Sequence, residues 1–170
     1  MSSSKVLAVV ALIAALLAPV SAQTPYFSRG DLQSAIAELD ATDLDGRRWN
    51  VSTLRGRVVL IEFWASWCAP CLQQIPMLRD LRDTYGPDQF EIVAVSLNSS
   101  PRRDLVSWIN RQGLEWPQIH DGRAFNSPTA RLFGVNALPA SILLNRHGEI
   151  VAANLRGAAL KRAVDALASR

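Results

Sequence analysis

Two cysteines, two histidines and no run of like charge are all that this 170-residue chain offers to metal or polyanion chemistry. A zinc site needs about four ligands at characteristic spacings, and His120 and His147 are distant in sequence from each other and from Cys68 and Cys71. Covalent haem attachment is excluded because Leu72, not histidine, follows Cys71. The 18 basic residues outnumber the 15 acidic ones but are dispersed along the chain, which gives no footing to a nucleic-acid partner. Internal repeats and low-complexity tracts are also missing, so no solenoid or extended linker is expected. Neither a metal nor an organic cofactor is called for.

One long apolar run is present, from Val6 to Ala18, with Lys5 before it and the small-x-small pattern Pro19-Val20-Ser21-Ala22 after it. The run is shorter than the roughly 20 residues that span a bilayer comfortably. It therefore reads as a signal peptide over 1–22, cut after Ala22. Retained uncut, it would be the chain's one membrane contact. Residues 23–35 read as a tether and 36–170 as a globular domain in a periplasmic or otherwise extracytoplasmic compartment. Disulfides persist there, so two cysteines stay oxidised unless a partner supplies electrons.

Within that domain, Asp45-Gly46 lies between two β-prone segments and predicts a hairpin, followed by a turn capped by Ser52 and ending at Gly56. Val58 to Trp64 is a nearly continuous apolar run with Glu62 its one charge, as for a central strand covered on both faces. Leu72, Ile75, Leu78 and Leu81 then recur at helical spacing up to Gly86-Pro87, with Pro76 expected to kink the helix. Phe90 to Leu97 predicts a second buried strand. A helix opens after Ser100-Pro101 and closes at Gly113, and another opens at Ser127-Pro128. A hairpin around Asn145 to Gly148 and an amphipathic helix marked by Leu160, Val164 and Leu167 complete the pattern. Alternating strands and helices of this kind imply an α/β fold with a mixed central sheet flanked by helices, its site at the strand carboxyl ends.

Cys-x-x-Cys alone is shared by zinc sites and structural disulfides; here its position, after a buried strand and at a helix start, sharpens the reading. A sulfur in the first turn lies near unpaired N–H groups and the positive end of the helix dipole, which favour thiolate over thiol. Cys68 fits the attacking thiolate, expected as the exposed sulfur. Cys71, one turn on, fits the resolving thiol that displaces the reduced product. Pro70 is tolerated in the first turn, and with Ala69 it puts no charge or imidazole between the sulfurs, which favours a reducing pair over an oxidant or isomerase. A structural disulfide in a redox-inert binding module is the rival from another class, although so short a loop constrains the unfolded chain little. Trp67, beside the nucleophile in a loop, suits a docking surface; Trp64 suits either that or the core.

The segment Val59-Leu60-Ile61-Glu62-Phe63-Trp64-Ala65-Ser66-Trp67-Cys68-Ala69-Pro70-Cys71 strongly resembles the active-site segment of the thioredoxin superfamily. With the Asp-Gly hairpin, Leu54-Arg55-Gly56-Arg57 and Leu138-Pro139 ahead of Ile142-Leu143-Leu144-Asn145, the chain looks like the exported TlpA/ResA-type branch. The resemblance implies a thioredoxin fold with an N-terminal hairpin extension and a thiol:disulfide oxidoreductase. It makes Pro139 the cis-proline facing the cysteines, where the residues alone allow an ordinary strand-start proline. Leu138 would pair its backbone with substrate, and Trp67, Ala69 and Pro70 would line the same surface. Glu62 falls where thioredoxins bury an acid beneath the resolving cysteine, a proton acceptor for Cys71; by burial statistics alone a strand-edge glutamate is the alternative. Implied partners are disulfide-containing exported proteins and a membrane electron donor of the DsbD/CcdA type. Two departures, Ala140 where the family often has Thr and Gln74 where some cytochrome-maturation members carry Glu, weaken assignment to haem-protein maturation.

Overall fold

A computed structural model of the chain describes residues 29–169; the expected signal peptide and cleavage point lie outside them. In chain order the elements are α1 (Arg29–Glu38), β1 (Asp40–Thr42), β2 (Arg48–Asn50), β3 (Val58–Trp64), α2 (Ala69–Gln89), β4 (Phe90–Ser96) and α3 (Arg102–Gln112). There follow β5 (Gln118–Ile119), a 3-10 turn (Ala124–Asn126), α4 (Pro128–Leu132), β6 (Ala140–Leu144), β7 (Ile150–Ala153) and α5 (Gly157–Ala168). Five strands form one sheet in the order β5-β4-β3-β6-β7, and β1 and β2 pair separately as the expected hairpin. β3 runs parallel to β4 and β4 to β5, whereas β6 lies antiparallel to both β3 and β7. This is the mixed, helix-flanked sheet of a thioredoxin fold.

Every residue of β3 and β4 is buried, because the sheet is covered on both faces and the side chains alternate between them. One face packs Leu60, Trp64 and both cysteines against Leu78 and Leu81 of α2 and Leu160 of α5. The other packs Ile61, Phe63 and Val93 against Ile36, Trp49 and Phe133. Burial of side chains of this size contributes about 1.5–3 kcal/mol each.

Three expectations change. The tether does not reach residue 35: from Arg29 onward the backbone is helical, and Leu32, Ala35 and Ile36 are buried while Gln33 bonds to Gly148 O and Ile150 N. The segment is polar elsewhere, so its few apolar positions do not announce a helix. α2 leaves helical geometry at Gly86 (φ 66°, ψ 169°), a conformation open to glycine, whereas the backbone stays helical through Pro76. Asn50, not Ser52, caps the following turn, its Oδ1 accepting from the N–H groups of Ser52 and Thr53.

Candidate active site

The loop after β3 carries the chain from the sheet into α2, and its hydrogen bonds fix where the cysteines stand. Asn98, just beyond β4, accepts from Ser66 N at 3.0 Å and donates from Nδ2 to Ser66 Oγ at 2.8 Å. Leu97 N donates to Trp64 O, and Cys68 N to Ala65 O. The loop after β3 is thereby tied to the segment that leaves β4. Sequence reading did not single out Asn98; a polar residue directly after a fully buried strand was the available signal.

Cys68 and Cys71 form a disulfide, with S–S 2.08 Å and Cα–Cα 5.3 Å. Cys68 is the N-cap of α2, and its Sγ accepts from Cys71 N at 3.3 Å, the capping role usually filled by Ser, Thr, Asp or Asn. The same N–H would hold a Cys68 thiolate, and the dipole of α2 adds to it. Pro70 occupies the first turn, where its missing N–H breaks no bond. One expectation changes here: Cys68 is not an exposed residue in the oxidised pair, since both cysteines are 4% exposed. Ala69 and Pro70 are exposed beside them, and Trp67 is 60% exposed, its ring 6.4 Å from that of Phe125. Trp64, by contrast, is a core residue, packed on Trp108 with its Nε1 donating to Gln118 Oε1 at 3.0 Å.

The Leu138–Pro139 peptide is cis. Leu138 packs against the same apolar cluster that contains the two cysteines, while Pro139 O accepts from Arg156 Nη2 at 2.6 Å. A cavity of about 270 Å³ opens beside this loop, lined by Phe63, Phe133, Pro139, Ala140 and Arg156 among others.

Glu62 lies in the middle of β3, 5% exposed, not at a strand edge. Its Oε2 has no hydrogen-bond partner, and with Cys71, Trp64 and Ala94 it lines a small cavity of about 10 Å³. Burial pushes its carboxyl up to about 8, with the positive charge of Arg156 pulling the other way. A carboxyl poised near neutrality beside a buried sulfur is equipped to take and return a proton. No group of three or more His, Cys, Asp or Glu side chains among the described residues is arranged to hold a metal ion, and none of the described helices is long and apolar enough to cross a membrane.

The AhpC/TSA family pattern matches residues 32–153. The thiol-disulfide oxidoreductase ResA of Halalkalibacterium halodurans is 34% identical over 115 residues, which cover 68% of this chain and 63% of the relative. This chain thus matches under two thirds of that protein's length. A solved thiol-disulfide oxidoreductase from Bacteroides fragilis is 30% identical with TM-score 0.67, covering 76% of this chain and 96% of the other. The thioredoxin domain of a thiol-disulfide oxidoreductase from Bacteroides vulgatus is 25% identical with TM-score 0.66, covering 76% and 92%. A thioredoxin-type sheet, a Cys-x-x-Cys disulfide capping its helix and a pattern match over most of the described residues lead to one assignment: the chain belongs to the AhpC/TSA family.

Proposed function

We propose that this protein is an exported thiol:disulfide oxidoreductase that reduces disulfides in other exported proteins. The observation that carries the reading is the Cys68–Cys71 disulfide at the amino end of α2, closed by the N-cap itself and set directly after the central strand. Relatives named thiol-disulfide oxidoreductase support it.

In the proposed cycle, reduced Cys68 attacks a substrate disulfide as a thiolate, giving a mixed disulfide and releasing one substrate thiolate. Glu62 takes the Cys71 proton, and the Cys71 thiolate attacks Cys68 Sγ. The intramolecular disulfide forms as the second substrate sulfur leaves. A membrane donor of the DsbD/CcdA type returns two electrons. Trp67, Ala69, Pro70 and the Leu138-Pro139 backbone form the docking surface. Cytochrome c maturation is one setting that fits such a reductase, though Gln74 and Ala140 depart from what that role often uses.

Reduction of insulin by dithiothreitol tests the activity. Catalytic amounts of the wild-type protein should shorten the lag to precipitation, and Cys68→Ser should match the uncatalysed control. Equal rates for the two proteins would leave a binding module with a structural disulfide. An equilibrium titration against glutathione tests direction: the pair should lie nearer the about −270 mV of thioredoxin than the about −120 mV of DsbA.

A further inference from the structure

The register of the central sheet places Glu62 of β3 opposite Ala94 of β4, and Ala94 opposite Gln118 of β5. Residues paired across strands point to the same face, so Glu62, Ala94 and Gln118 form one row beneath Cys71, with the smallest side chain between the two polar ones. Gln118 is 4% exposed. Its Oε1 is taken by the Trp64 indole, which fixes which end of the amide is free. The free end is a donor, Nε2, that has no partner; along the row, Glu62 Oε2 is an acceptor that has none either. Buried polar groups are rarely left unpaired, so a matched donor and acceptor on one row of a sheet call for a common explanation. The cavity lined by Glu62, Trp64, Cys71 and Ala94, about 10 Å³, is close to the minimum that accommodates one water.

We propose that Gln118 is a positioning residue for the resolution step: anchored by Trp64, its Nε2–H serves the Glu62 carboxylate through one bridging water, and so keeps Glu62 able to accept the Cys71 proton. This rests on the reading of Glu62 as that acceptor. The step balances without Gln118 changing state. Cys71–SH gives its proton to Glu62, the Cys71 thiolate attacks Cys68 Sγ, the bond from Cys68 to substrate sulfur breaks, and the departing thiolate is reprotonated by Glu62 or solvent. A donor to the charged form lowers a carboxyl's pKa, so removing it makes Glu62 a base only at higher pH. The charged or titratable groups about Glu62 are Cys71 from α2 and Arg156 ahead of α5, while β4 and β6 oppose it with Ala94 and Ser141.

The test is the pH profile of resolution, followed by stopped-flow release of the leaving thiol from a mixed disulfide on Cys68, in wild type, Gln118→Met, Glu62→Gln and the double variant. Methionine keeps the volume and removes both hydrogen bonds. Gln118→Met should move the midpoint up by about one unit, a loss of about tenfold at pH 7 that is recovered at high pH. In the Glu62→Gln background the same change should move nothing. A midpoint that stays in place, whether or not the rate falls, would overturn the proposal. A Glu62→Gln profile identical to wild type would instead remove Glu62 as acceptor, an outcome visible in an arm that leaves Gln118 intact. Infrared titration of the Glu62 carboxyl in the disulfide form of folded Gln118→Met and Gln118→Leu gives a second reading without turnover. The carboxyl should titrate about one unit higher in both, and an unchanged midpoint would contradict the assignment.

Discussion

Two buried glutamates on neighbouring strands of the same sheet are treated in opposite ways. Glu91, near the start of β4 and 2% exposed, is fully provided for: Arg82 Nε lies 3.0 Å from its Oε1, Arg57 Nη1 lies 4.0 Å from its Oε2, and Ile92 N donates to it as well. Glu62, in the next strand and near the carboxyl end of the sheet, has an oxygen with no partner and a carboxyl raised to about 8. Of the two, only the acid near the carboxyl end of the sheet is left short of partners. At the end that joins β4 to α2, a paired carboxylate holds helix to strand. Beneath the cysteines, an under-provided one remains available to chemistry, as expected if polar incompleteness gathers at functional sites.

The two acids should differ most in how stability depends on pH. In the oxidised protein Glu62 keeps its proton to about pH 8, against an ordinary value of 4.5. The folded state therefore binds more protons than the unfolded between those values, and stability should fall as pH rises through that window. The expected fall is on the order of 4 kcal/mol, read from urea unfolding at pH 5 and pH 9, and Glu62→Gln should abolish most of it. A wild-type slope that survives in Glu62→Gln would assign it to other groups.

Catalysis should separate the two acids next. Glu62→Gln should slow resolution by Cys71 about a hundredfold near neutral pH while leaving the Cys68 attack nearly intact. Glu91→Gln should leave both steps unchanged per folded molecule; equal slowing of both steps in Glu62→Gln would indicate structural damage instead. In the other direction, Glu91→Gln should lower stability by about 2 kcal/mol at pH 7, since it strands two partly solvated guanidinium groups. Glu62→Gln should instead raise stability at that pH by about 2–3 kcal/mol, because wild-type Glu62 loses its proton on unfolding at pH 7 and the amide removes that penalty. The smallest effect belongs to the surface: Trp67→Ala should raise KM for a protein substrate by up to about tenfold with kcat and stability unchanged. A matching fall in kcat would place Trp67 in the chemistry rather than in docking.

The elements legible in the sequence were those whose evidence is local. Val58 to Trp64 and Phe90 to Leu97 announce buried strands through continuous apolar runs, and Asp45-Gly46 announces its turn through a glycine now seen at φ 85°. The Leu138–Pro139 cis bond came from family resemblance, since no local pattern distinguishes it from a strand-start proline. α1 escaped because helix formation there depends on packing Leu32 and Ile36 into a core that other segments supply. β5 is two residues long, too short for any periodicity, and Gln118 acquires meaning only once the register sets it in a row with Glu62. Cys68 is buried although it begins the helix, because helix-start position sets the electrostatics of a sulfur, whereas accessibility depends on what the whole loop folds over the residue.

Exchange through Cys68, resolved by Cys71, is tested most directly by trapping. Expressed in its native compartment, Cys71→Ser should accumulate covalent complexes with partner proteins that disappear on adding reductant and are absent from Cys68→Ser. The captured proteins should be exported, disulfide-containing chains together with the membrane donor, since both exchange through the same sulfur. Complexes that persist in Cys68→Ser, or none in Cys71→Ser while the folded protein is present in that compartment, would contradict the mechanism.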